Sequence, residues 1–130
     1  MSEWRAETSR DLAAAAGRLE SVLAGAPGKL TDEKVRRAWL AYIEVEKSIA
    51  FIKADIDEEN PGRFVKLKAY SVPDERQAVQ FALRYLRKGA DDFQLGDFRQ
   101  ALKELRESRN YLRALIREKR LERARRARPA

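Results

Sequence analysis

The sequence predicts an all-α protein: a compact bundle of four main helices, a short connecting helix, and a basic C-terminal extension. Three observations carry that prediction. Apolar residues recur at three- and four-residue steps through four stretches. Breaks containing glycine or proline separate those stretches. Only residues 63–70 carry a pattern that a strand would also satisfy. At 130 residues the chain has the length of one domain, expected as a bundle over 1–116 and a basic helical extension or tail over 117–130.

The elements follow in order. Residues 3–24 read as a helix with Trp4, Leu12, Ala15, Ala16, Leu19, Val22 and Leu23 on its inner face, stopped by Gly25-Ala26-Pro27-Gly28. Thr31 is placed to cap a second helix, and Asp32 and Glu33 suit its positive end. That helix carries Val35, Trp39, Ile43, Ile49, Ile52 and Ile56 as its expected core stripe, and it runs until the break Asp57-Glu58-Glu59-Asn60-Pro61-Gly62. Residues 63–70 are expected as a short helix on Phe64, Leu67 and Tyr70, although Val65, Leu67 and Ala69 would also suit a strand.

The segment from Ser71 to Glu75, with Pro73 near the start and acids in the first turn, opens a third helix. Val79, Leu83, Leu86, Ala90 and Phe93 form its seam, and Gly96 ends it. Asp97 caps the fourth helix, with Gln100 in capping-box register. Phe98, Ala101, Leu102, Leu105, Leu112, Leu115 and Ile116 point inward, and the helix is expected to continue into the basic extension. There only Leu121 offers apolar support, so the last eight or so residues are expected to fray.

Composition removes several chemistries. The chain has no cysteine and no histidine, which excludes disulfides, thiolate nucleophiles, the usual zinc ligands and histidine acid–base catalysis. No apolar run approaches the roughly 20 residues that span a bilayer, and Met1 to Arg5 lack the apolar region of a signal peptide. A cytoplasmic protein with no enzymatic activity, no cofactor and no metal is the expectation. The acidic run Asp55, Asp57, Glu58 and Glu59 lacks the glycine and terminal glutamate of a calcium loop and reads as a solvated helix end.

The net charge of +7 is unevenly placed. Arg117 to Arg128 holds seven basic residues against Glu118 and Glu122, so the first 116 residues carry only about two of the seven net charges. A nucleic-acid arm and a solubilising tail both suit that stretch; a membrane-surface helix does not, because its apolar face is missing. In the body, Arg36 and Arg37 flank the Val35–Trp39 stripe, and Arg84, Arg87 and Lys88 share one face of the third helix. Lys66 and Lys68 precede Tyr70, and Arg99 opens the fourth helix. Such residues can follow phosphates without reading bases, or simply pair with neighbouring carboxylates on a solvated face.

Taken in order, residues 30–116 resemble the small subunit of type III CRISPR effector complexes, the Csm type in particular. The resemblance rests on the helix started at Thr31 with Arg36, Arg37 and Trp39. It continues with Lys66-Leu67-Lys68-Ala69-Tyr70 and a hairpin whose second arm begins Asp97-Phe98. It implies a non-catalytic helical subunit that stacks with copies of itself beside other subunits and holds a guide–target RNA duplex by its phosphates. Arg36, Arg37, Lys66 and Lys68 fall within that pattern; Arg84, Arg87, Lys88 and Arg99 come from helical-face reasoning alone. Two other classes compete. A DNA-coating capsid or chromatin protein would carry its charge in the body, and a protein-binding adaptor would have no RNA affinity at low salt. A helical nuclease of the HEPN type would need a histidine element that the sequence lacks.

Overall fold

Side chains just ahead of three helices set where each begins. The structure, a computed structural model, describes residues 3–25, 28–56 and 74–127. Among them lie α1 (Glu3–Leu23), α2 (Asp32–Asp55), α3 (Glu75–Gln94) and α4 (Phe98–Ala127), with no strand. Thr31 Oγ1 accepts from the Lys34 N–H at 3.3 Å, as the sequence predicts. Asp74 accepts from the Arg76 N–H at 2.9 Å, and Asp97 from the Gln100 N–H at 3.2 Å. The capping box at α4 is only half formed, because the Gln100 amide donates to Glu104 instead of turning back. Asp97 N–H is already engaged: it donates to Asp92 O while Gly96 N–H donates to Phe93 O. This is a Schellman turn, and it requires the left-handed conformation that Gly96 adopts at φ 81°. The expected short helix at 63–70, with Lys66 and Lys68, lies outside the described residues.

The helices form a ring in which α1 packs on α2 and α3, and α4 packs on α3 and α2. Ion pairs and hydrogen bonds fix their directions. Lys47 of α2 reaches Glu7 of α1 at 2.7 Å and Asp11 at 3.3 Å. Those contacts hold the Glu7 carboxyl below its usual range and lift the Lys47 ammonium above its own. Arg76 at the start of α3 donates to Leu23 O at the end of α1 at 2.5 Å. Ser108 of α4 donates to Ala82 O of α3 at 2.7 Å, fully buried. Thus α1 and α4 run one way while α2 and α3, on the diagonal, run the other. The chain leaves α2 at one end of the bundle and enters α3 at the opposite end.

The core lies on the axis of this ring. Leu12, Leu19 and Val22 of α1, Val45 and Ile52 of α2, Val79 and Leu86 of α3, and Leu102, Leu105, Leu112 and Leu115 of α4 belong to one buried cluster. Helices α3 and α4 approach closely at Gly89. A Cβ there would stand 2.7 Å from Leu105 Cδ2 and 3.3 Å from Ala101 O, so the two backbones come together because that side chain is missing.

Two expectations are corrected. The inward face of α2 is Ala38, Ala41, Val45, Ser48, Ile49 and Ile52, while Trp39 and Ile43 are 39% and 43% exposed. Small residues at Ala38 and Ala41 let α1 and α4 close in, and this turns the larger side chains outward. Of the last eight or so residues, expected to fray, those described, 123–127, are helical. Arg, Glu, Ala and Leu there are strong helix formers, and Lys119 anchors the segment. Its ammonium lies 2.5 Å from Glu75, and the two side chains are only 13% and 16% exposed. The same Glu75 carboxylate accepts the Leu30 N–H at 2.8 Å, tying the approach to α2, the start of α3 and the end of α4 together.

Candidate nucleic-acid interface

Turning Trp39 outward creates the most distinctive surface among the described residues. The first half of α2 and the last half of α4 run side by side, and a groove of about 520 Å³ lies between them. Val35, Trp39 and Ile116 are its apolar lining; Arg36, Arg120, Arg123 and other cations line it too, together with the carboxylates Asp32 and Glu33 at one end. On the other flank of Trp39 a smaller depression is lined by Tyr42, Arg113, Arg117 and the half-exposed Leu121. Trp39, Ile116 and Arg120 border both, so the indole stands as a ridge with cations on each side. On α4 these cations repeat at Arg113, Arg117 and Arg120, and at Lys119, Arg123 and Arg126, spacings that keep each set on one helical edge.

Several of these arginines have no ion-pair partner among the described residues, as is also true of Arg10, Arg84 and Arg99 elsewhere on the surface. No carboxylate lies within ion-pair distance of Arg36, Arg113, Arg117 or Arg120 among the described residues. Arg123 stands 3.6 Å from Asp32 and Arg126 3.6 Å from Glu122, contacts that are long and exposed on the arginine side. A guanidinium held open in this way offers a planar fork of donors to a phosphate at little cost in broken pairs.

The residues expected from sequence do not form one site. Arg36 lies on the groove. Arg37, one position on, turns toward α1, where it donates to Ser21 and pairs with Glu33 at 2.6 Å. Arg84, Arg87 and Lys88 share an outer face of α3, across the bundle from α2. Within that face Arg87 is held by Glu20 at 2.6 Å, while Arg84 and Lys88 lie over the rings of Phe81 and Tyr85. Arg99 is exposed at the far end, beside the hairpin. Sequence reasoning missed Trp39 and Arg113 as surface partners and had Arg120 only as one of the cations of the basic extension. The signal that could have found them is a conflict of stripes: Ala38, Ala41, Val45, Ser48 and Ile52 make a complete inward seam, leaving Trp39 and Ile43 to face elsewhere.

No protein-family model matches the chain, and neither a curated protein nor a solved structure matches it. No helix among the described residues is long and apolar enough to cross a membrane, and no cluster of three potential metal-ligating side chains occurs among them.

Proposed function

We propose that this protein is a non-catalytic RNA-binding helical subunit that holds RNA by its phosphates along the α2–α4 groove. The observation that carries this reading is the group of guanidiniums with no ion-pair partner among the described residues, Arg36, Arg113, Arg117 and Arg120, beside an exposed tryptophan. Such a group gives affinity that tolerates sequence and weakens steeply with salt, because each phosphate contact releases counterions. The resemblance over residues 30–116 supplies the finer form: a cytoplasmic subunit of a type III effector complex, assembled with other subunits and copies of itself on a guide–target duplex. A DNA-coating protein would be expected to spread its charge over the body, whereas here most of it lies on one end of α4.

The test is a salt titration of RNA binding. The double variant Arg36→Ala, Arg120→Ala should bind roughly tenfold or more weakly near 0.1 M salt, with a flatter slope of log affinity against log salt. Arg87→Ala, whose guanidinium is already occupied by Glu20, should bind within about twofold of the parent. Unchanged affinity in the double variant would remove the groove from consideration. Tagged protein recovered from its native host with short guide RNAs and larger subunits would support the effector-complex form; recovery free of nucleic acid would count against RNA binding.

A further inference from the structure

Resting on the RNA-binding reading but departing from its duplex form at this groove, we infer that the groove takes a single-stranded stretch of RNA, one unpaired base stacking on Trp39 between phosphates held by Arg36 and Arg120. Phosphate binding alone does not need an exposed indole. Trp39 lines the groove with Val35 and Ile116, and among the described residues no aromatic ring packs on it and no cation lies over its face. The other tryptophan, Trp4, has two rings and a guanidinium against it. Keeping a large apolar surface in water is unfavourable unless something covers it.

The chemistry of the rim says what covers it. Arg36 lies three residues before Trp39 on α2, one helical turn away, and Arg120 faces it from α4. Each can reach a phosphate on either side of the indole. A nucleotide strand presents the same alternation, an apolar π-face flanked by anionic groups. In a duplex the bases are stacked on one another and unavailable to a side chain, whereas an unpaired base can be splayed onto an aromatic ring. Tyr42 and Leu121 extend the apolar surface beyond Trp39, and Arg113 and Arg117 extend the cations beside it. The track therefore has room to continue past one nucleotide. An acidic amphipathic peptide shares part of this chemistry but lacks a flat ring at regular spacing from its charges.

The sequence contains two tryptophans, so Trp4→Phe leaves Trp39 as the sole indole reporter in the full-length chain. In that background a ten-nucleotide oligouridylate should quench the fluorescence on binding, and an RNA duplex of equal charge should quench it far less. Separately, Trp39→Leu should weaken single-strand binding by about 5- to 100-fold and leave the salt slope unchanged, while Trp39→Phe, which keeps a ring, should recover most of the affinity. Saturation by the oligouridylate without quenching would overturn the stacking inference, and so would single-strand affinity that survives Trp39→Leu in a variant that still melts cooperatively. If Trp39→Leu does not fold, the quenching measurement decides alone. Binding that heparin or polyglutamate matches as well as the oligouridylate would likewise overturn it, pointing to plain electrostatics or an acidic peptide. In the electrostatic case salt-dependent RNA binding lost in the Arg36→Ala, Arg120→Ala protein would leave the phosphate-binding reading standing. Absence of binding to any RNA at low salt would bring both down.

Discussion

Trp4 and Trp39 stand toward opposite ends of the bundle, each with an arginine close by in sequence, and their surroundings could hardly differ more. Trp4 meets Phe93 and Phe98 edge-to-face at 6.0 and 5.8 Å, and those two phenyl rings stack on each other at 5.2 Å. The Arg5 guanidinium completes the group, 5.7 Å from the indole and 4.9 Å from the Phe98 ring. That cluster seals α1 onto the α3–α4 hairpin and leaves Trp4 partly buried against it. At the other end Trp39 is 39% exposed in a groove lined by several cations and by Asp32 and Glu33. The same residue types thus make a closed joint in one place and an open seat in the other. What decides between them is whether neighbouring helices supply the covering rings.

The largest effect that can test this contrast is on stability. Trp4→Ala should cost about 3 kcal/mol, from lost burial and two aromatic pairs, and lower the melting temperature by roughly 10 °C. Trp39→Ala should cost about 1 kcal/mol or less, since much of its surface is already in water. Thermal unfolding of the two variants side by side gives the comparison directly, and the reverse order would mean that the open seat is structural after all.

A smaller effect is expected at Glu75, which positions the open seat. Glu75→Gln keeps an acceptor for Leu30 N–H but leaves the Lys119 ammonium without its nearest carboxylate. A loss of about 1–2 kcal/mol is expected. Amide exchange should rise from Lys119 to Ala127 before it rises in α3. Uniform exchange along α4 would show that packing, not this ion pair, holds the extension.

The smallest effect concerns a third aromatic group, intermediate between the other two. Tyr111 stacks on Tyr85 at 6.0 Å and lies against Phe81 at 5.3 Å. Burial, with the nearby Tyr85 and Glu107, pushes its phenol above the ordinary value near 10. A group whose pKa rises on folding stabilises the fold below its unfolded pKa, and that contribution disappears as pH climbs through the folded value. Stability should therefore fall above about pH 10, and Tyr111→Phe should lose less over that range. Identical alkaline denaturation curves for parent and variant would assign the loss to other groups.

Much of the fold was legible because its signals are local. The Thr31 and Asp97 caps, the Gly96 stop and the seam from Val79 to Phe93 each depend on residues a few positions apart. The face of α2 was not legible in the same way. Its largest apolar residues, Trp39 and Ile43, outweigh Ala38 and Ala41 in any reading by hydrophobicity, yet helix approach is governed by the small ones. The basic extension was equally opaque, because its order depends on Glu75, which is 44 residues from Lys119 in sequence. Of the expected cations, Arg36 reaches the groove, while Arg37 and Arg87 are engaged by Glu33 and Glu20. A linear pattern shows where charges stand on a helix; it does not show which carboxylates the tertiary fold brings to them.

The ring of helices also bears on how the molecule assembles. The α1–α2 and α3–α4 pairs are each joined by a short turn, so each can form from contacts near in sequence, whereas the α1–α3 and α2–α4 contacts require two preformed hairpins to meet. Local contacts form first because their loops are cheapest to close. The groove belongs to the later seam, with Arg36 on one hairpin and Arg120 on the other. A strand lying across both would act as a staple over the joint that closes last, slowing its reopening more than it speeds its formation.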